Sequence, residues 1–208
     1  MSLGGLVALV SVSLAAAAGP QLVETGANTA ATATAGVVSA PAALVAVADD
    51  AGRVTGVSPD VLLAISEVEC NFGRCRMGLS DDMVPADVRG HVDGEALKAG
   101  GATAALLGLP EGRRVGDWVN PLPVAGGQHA MGFMQFLPST WRQEARAAPG
   151  RPQDPYRPRD SMVVAGSYLA RLQAGAVDGR HHSLRGALAV YGGSVSYADR
   201  VLAIARGG

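Results

Sequence analysis

Residues 58–70, "SPDVLLAISEVEC", decide the fold. Ser58 is a residue type that caps helices, Pro59 suits the first helical position, and Asp60 suits the positive end of the helix dipole. At about 100° per residue, Val61, Leu62, Ile65 and Val68 gather on one side of the helix, and Glu69 falls within that apolar stripe. Glu67 points nearly the opposite way, where a solvated carboxylate costs little. A carboxylate on the apolar face is costly unless it is protonated, paired or lining a cleft. Desolvation would raise the pKa of Glu69 and keep a proton available near neutrality, as a general acid requires. The alternative is that Glu69 merely ends the helix and pairs with Arg74 or Arg76.

Helical signals continue on both sides of this stretch. In "PAALVAVADDAGRVTG", residues 41–56, Leu44, Val47, Ala48, Ala51 and Val54 lie close to helical spacing, with Gly56 as a stop. From Pro138 onward come "PSTWRQEAR", "DSMVVAGSYLARLQAG" with Asp160 or Ser161 as cap, "SLRGALAVYGG" and "SYADRVLAIAR". Strand patterns are almost absent. The expected fold is therefore all-α, with several short helices around one core. Residues 76–128 are rich in Gly, Asp and Pro, with short helical patterns such as "GEALKAGGATAALLG", and read as a long irregular insertion.

The chain of 208 residues is long enough for one domain with extensions. Its 17 basic and 18 acidic residues give a net charge of -1, so no field that would recruit nucleic acid by charge is implied, and no nucleic-acid partner is expected. The start, "MSLGGLVALVSVSLAAAA", has no charged side chain, and Leu3 to Leu14 is long enough for the apolar segment of a secretory signal. The usual positively charged start is missing, but Ala16, Ala17 and Ala18 fit an A-x-A cleavage site. Export with removal of residues 1–20 is the preferred reading. An uncleaved membrane anchor over Met1 to Leu22 is the rival, and a buried N-terminal helix of a cytosolic protein is the third. Residues 21–40, rich in Ala and Thr, read as a linker, so that the folded domain spans 41–208. In an oxidising compartment Cys70 and Cys75, the only cysteines, can form a disulfide closing a short loop; a pair of free thiols is the alternative. Two sulfurs with no histidine nearby in sequence make a weak metal site.

A second constellation is "HAMGFMQFLPSTW", residues 129–141. Gly132 would let backbone approach a ligand closely, and Gln135 offers both donor and acceptor to amide or hydroxyl groups. Met134, Phe136 and Trp141 could supply apolar walls, a mixture that suits the apolar faces and polar edges of sugar rings. A loop whose aromatics simply cap the core is the competing reading.

Four segments, "PDVLLAISEVECNFGR", "AMGFMQFLPSTW", "DPYRPRDSMVVAGSYLARL" and "LRGALAVYGGSVSYADRVLAIA", resemble in that order the lytic transglycosylases of lysozyme-like fold, both soluble and membrane-bound. The resemblance, to the goose-type and soluble-transglycosylase-like helical domain, covers roughly residues 41–206 without most of 76–128. It implies that Glu69 is the catalytic acid and that Gly132, Met134, Gln135 and Phe136 belong to the glycan-contacting loop. Tyr191 matches a tyrosine whose hydroxyl lies near the catalytic carboxyl, while Gly192 stands where asparagine is usual. Cys70 takes the place of the serine that usually follows the acid. The expectation is that a Cys70–Cys75 disulfide ties the helix end carrying Glu69 to the following loop.

The activity implied is that of a carbon–oxygen lyase acting on the glycan strands of peptidoglycan, with one glutamate as acid and base and no cofactor. A lysozyme-type hydrolase would need a second carboxylate about 5 to 9.5 Å from the first, and Asp117 in "GDW" and Asp154 in "DPY" are the candidates. Asp154 is expected instead to open the turn before the next helix. A peptidoglycan-binding module of the envelope, with weak or no turnover, is the reading from another class. The Asp-rich calcium loop of some relatives is not visible after the S-T-W segment, so no metal is expected. Partners beyond the glycan would be a membrane, through the N-terminal segment, or a cell-envelope assembly.

Overall fold

The computed structural model describes residues 40–75, 88, 115–124, 126–150, 152 and 154–207. The N-terminal segment, the linker to residue 39, and residues 76–87 and 89–114 of the expected insertion lie outside the described residues.

Helix α1, Ala42–Thr55, ends at Gly56, whose left-handed backbone (φ 76°) returns its N–H to the Gly52 carbonyl. Helix α2, Pro59–Cys70, follows almost at once. Ser58 sits at its N-cap position, but its side chain makes no capping bond; its backbone carbonyl accepts from Val61 and Leu62 instead. A short 3-10 turn, Val115–Trp118, precedes an irregular stretch. Helix α3, Pro138–Ala147, and helix α4, Pro158–Gln173, each carry proline in the first turn, where its missing N–H is no loss. Helix α4 therefore starts before both expected caps, Asp160 and Ser161. Helices α5, Leu184–Tyr191, and α6, Val195–Ala205, are capped by the hydroxyls of Ser183 and Ser194, which accept from the N–H groups of Gly186 and Tyr197. Among the described residues the only strand-like pairings are isolated bridges of Met131 with Val119 and with Phe136. The described fold is all-α. No helix among the described residues is long and apolar enough to cross a membrane.

Helix α1 packs along α4 and against α2, α2 packs against α6, and α5 and α6 form a hairpin whose first helix also meets α4. The core joins Leu44, Leu62, Ile65, Met162, Leu169, Leu172, Leu188 and Val201, all without solvent exposure. Trp118, Val119 and Val88 belong to the same core, so the end of the irregular region and at least one point within it are packed into the domain.

The end of α2 is the most constrained part of the backbone. Asn71 (φ 46°), Phe72 (φ 56°) and Gly73 (φ 80°) are left-handed in succession. For a residue as bulky as phenylalanine that conformation persists only where the surroundings impose it. Here Phe72 is buried, the Trp118 indole donates to the Gly73 carbonyl at 3.0 Å, and the expected Cys70–Cys75 disulfide closes the turn with the two Cα atoms 4.7 Å apart. The double substitution Cys70→Ser with Cys75→Ser should lower unfolding free energy in urea by about 2 kcal/mol, the loop-closure entropy of so short a loop. A change indistinguishable from zero would mean that Phe72 and Trp118 hold the turn unaided.

Candidate active site

Glu69 occupies the last turn of α2, one residue before the disulfide, and its surface is partly exposed. The Tyr197 hydroxyl, from α6, donates to Glu69 Oε1 at 2.6 Å. Burial around the carboxyl raises its pKa to about 7, against the opposing effects of the Tyr197 hydrogen bond and the positive charge of Arg200. Arg74, one expected partner in the structural alternative, lies over the Phe72 ring, its guanidinium carbon 6.0 Å from the centroid. Arg76 lies outside the described residues. Glu67 is half-buried rather than fully solvated.

Aromatic side chains form the wall beside the carboxyl. The Tyr191 and Tyr197 rings stack with centroids 6.2 Å apart and planes inclined by 25°, and Tyr168 of α4 and Phe136 pack on Tyr191 at 6.0 and 5.7 Å. The Tyr191 hydroxyl donates to the Met134 carbonyl at 3.0 Å, so this tyrosine ties the 131–136 loop to α5 instead of bonding Glu69. Burial, then the negative charge of Glu69, hold both the Tyr191 and Tyr197 phenols well above the ordinary tyrosine pKa. Both remain neutral hydrogen-bond donors at any physiological pH.

The loop itself is locked from inside. Gly132 has φ 77°, and a Cβ there would meet the Pro155 carbonyl oxygen at 2.2 Å. The sequence reading places a ligand against Gly132, whereas the structure places the Pro155 backbone there. The same carbonyl accepts from the Phe133 N–H at 3.0 Å and the Ser161 hydroxyl at 2.6 Å. Gln135, left-handed at φ 50°, turns its amide nitrogen inward to the carbonyls of Trp118 and Gly132, both at 2.9 Å. Met131, Phe133, Met134, Phe136 and Trp141 are buried, so their apolar surfaces serve the core, as the competing reading of this segment has it. Of the expected glycan contacts, only Gln135 and Tyr191 keep part of their surface open.

Neither candidate for a second carboxylate is a free group at the surface of this site. Asp154 opens the turn, its Oδ1 accepting from the Tyr156 N–H at 2.8 Å and its Oδ2 lying 3.4 Å from Arg157. Asp117 is buried in the 3-10 turn beside Trp118. Another buried acid, Glu144 of α3, is bound by the Arg171 guanidinium of α4 and ties those helices together. Among the described residues no group of three or more His, Cys, Asp or Glu side chains is placed to hold a metal ion.

Sequence reasoning singled out Glu69 and the Cys70–Cys75 pair, which is disulfide-bonded, but not Tyr197, which lies 128 residues away from Glu69 and in the sequence reads as an ordinary helix residue. The described residues thus define an all-α protein with a protonatable glutamate held at a helix end against aromatic rings. No protein-family model and no curated protein matches the sequence. Two solved structures are similar to it. One is the Escherichia coli lytic transglycosylase Slt35 in complex with bulgecin A, 15% identical, with TM-score 0.45 over 77% of this chain and 68% of that one. The other is Slt35 in complex with calcium, 16% identical, with TM-score 0.44 over 77% of this chain and 69% of that one.

A raised carboxyl has a thermodynamic signature. The unfolded chain ionises Glu69 near 4.5, whereas the folded chain keeps the proton until about 7. Stability therefore falls as pH rises through that window and levels off above it. Urea unfolding at pH 4.5 and at pH 8 should show wild type losing up to about 3 kcal/mol relative to Glu69→Gln. Parallel behaviour of the two proteins would place the Glu69 pKa at its ordinary value.

Proposed function

We propose that this protein is a peptidoglycan lytic transglycosylase that cleaves the β-1,4 bond between N-acetylmuramic acid and N-acetylglucosamine, with Glu69 as its single acid and base. The observation that carries this reading is the Glu69 carboxyl itself, pushed up to about 7 by burial and oriented by the Tyr197 hydroxyl. The order of the four sequence segments that resemble the family supports it independently.

In the reaction Glu69 gives its proton to the glycosidic oxygen, and the bond from that oxygen to C1 of the muramic acid breaks. The N-acetylglucosamine end leaves as an alcohol. The Glu69 carboxylate then takes the proton of the muramic acid C6 hydroxyl as its oxygen bonds to C1, closing a 1,6-anhydro ring. The proton lost in the first half returns in the second, and no water is consumed. A pKa near neutrality suits both halves, since the group must be protonated to begin and basic afterwards. In this reading Gln135 and Tyr191, whose surfaces stay partly open, are the side chains that meet the glycan directly. Gly132, Met134 and Phe136 contribute by fixing the loop that presents them.

The Cys70–Cys75 disulfide fits a protein that works outside the reducing cytosol, in or beyond the cell envelope. The domain division follows the same reading, with a signal or anchor over 1–20, a linker over 21–40 and the catalytic domain over 41–208.

Full-length protein and Glu69→Gln, incubated with purified peptidoglycan, should differ in soluble fragments by at least about a hundredfold, within the range general-acid catalysis contributes. Mass spectrometry should find 1,6-anhydromuramic acid ends, and the rate should decline as pH rises through about 7 because the acid form is then lost. Reducing sugar ends would indicate a hydrolase. Sedimentation with the sacculus and no release by either protein would indicate a binding module.

A further inference from the structure

Gly192 follows Tyr191 at the end of α5, with φ -96° and ψ 8°. That backbone is open to residues with side chains, so the conformation does not call for glycine. The space does. A Cβ built on Gly192 would lie 2.1 Å from Cγ, 2.2 Å from Cδ1 and 2.5 Å from Cδ2 of the Tyr197 ring. The tyrosine ring lies where a side chain of residue 192 would begin. Its other surroundings leave little freedom, since it stacks on Tyr191 and its hydroxyl is bonded to Glu69 at 2.6 Å.

We infer that Gly192 is a positioning residue: by carrying no side chain it seats the Tyr197 ring between α5 and α6 and so places the Tyr197 hydroxyl on the Glu69 carboxyl. The pairing of the two residues sets how the acid is held, although Gly192 itself lies behind the ring. The inference deepens the proposed function, on which its catalytic consequence rests. The placement of the hydroxyl is a matter of geometry alone.

Among the described residues, the groups that bear on the Glu69 carboxyl are Tyr197 and Arg200 from α6 and Tyr191 from α5, with Tyr168 of α4 acting on Tyr191. The Tyr197 hydrogen bond favours the ionised form of Glu69, whereas burial opposes it. Removing only the hydroxyl in Tyr197→Phe, with the ring kept, should therefore raise the Glu69 midpoint, by about one pH unit for a bond to a charged group. Any shift of the ring that separates the hydroxyl from Glu69 makes the hydroxyl irrelevant to that midpoint.

The test is a double-mutant cycle on the full-length protein. The Glu69 carboxyl is titrated by carbon-13 NMR and assigned by its absence in Glu69→Gln, and glycan release is measured alongside. Tyr197→Phe should raise the midpoint in the Gly192 background and leave it unchanged in the Gly192→Ala background, because the bond is already lost there. Gly192→Ala should also reduce release at least about tenfold, and Tyr197→Phe on top of it should add little. Equal shifts in both backgrounds, or no shift in either, would overturn the inference. If Gly192→Ala fails to fold, the pair Gly192→Ala with Tyr197→Ala decides: folding restored by removing the ring supports the seating, and unfolding of both overturns it. The predicted cycle without glycan release by wild type would uphold the seating and sink the catalytic reading. Glu69-dependent release with additive shifts would do the reverse.

Discussion

The hydrogen bond from Tyr197 to Glu69 is the interaction on which the site depends. It joins α2 to α6 at the point where α2 runs out, and it joins them through a carboxyl that burial would otherwise keep neutral. A donor aimed at one carboxyl oxygen leaves the other available for a proton, and it strengthens when the group ionises. The bond therefore accommodates both protonation states without requiring the backbone to move. Around it, each element has a holding role. The Cys70–Cys75 disulfide and the buried Phe72 fix the helix end, while Tyr191 spans from Glu69's aromatic wall to the loop at Met134.

The loop of residues 131–136 shows how a segment rich in apparent ligand groups can be occupied by its own structure. Its glycine meets Pro155, its glutamine amide nitrogen closes the turn onto Trp118 and Gly132, and its methionines are sealed in the core. Such internal satisfaction is the condition for rigidity, because buried polar groups without partners would be costly. A rigid loop beside a desolvated acid is what oriented proton transfer to a bound chain requires. The polar edge that remains, at Gln135 and Tyr191, is narrow.

Element boundaries were legible where chain chemistry forces them: Gly56 after α1, Pro59 at the start of α2, Pro138 at α3 and Ser183 before α5; the last helical stretch, read from Ser196, in fact starts earlier, capped by Ser194. Helix α4 begins earlier than the expected caps, Asp160 or Ser161, indicate because Pro158 supplies a sufficient start. Glu69 stood out because helical spacing put a carboxylate in an apolar stripe. Tyr197 did not, since its partner lies on another helix and nothing local marks a residue for a contact 128 positions away. Its one trace was Gly192, which stands where the resembled sequences usually have asparagine. In the structure the glycine makes room for the ring whose hydroxyl bonds Glu69. The left-handed Phe72 was illegible for a related reason, being imposed by tertiary packing against the preference of a bulky residue, whereas Asn71 before it is a residue type that adopts this conformation at helix ends.

The proposed reaction uses an internal nucleophile, the C6 hydroxyl of the muramic acid, in place of water. Reaction in oxygen-18 water tests that directly. Peptidoglycan turned over by the full-length protein should yield muramic acid termini at the mass of the 1,6-anhydro form with no heavy oxygen at C1. Termini carrying one oxygen-18 atom would show that water attacks, and would contradict a site in which Glu69 acts without a second carboxylate.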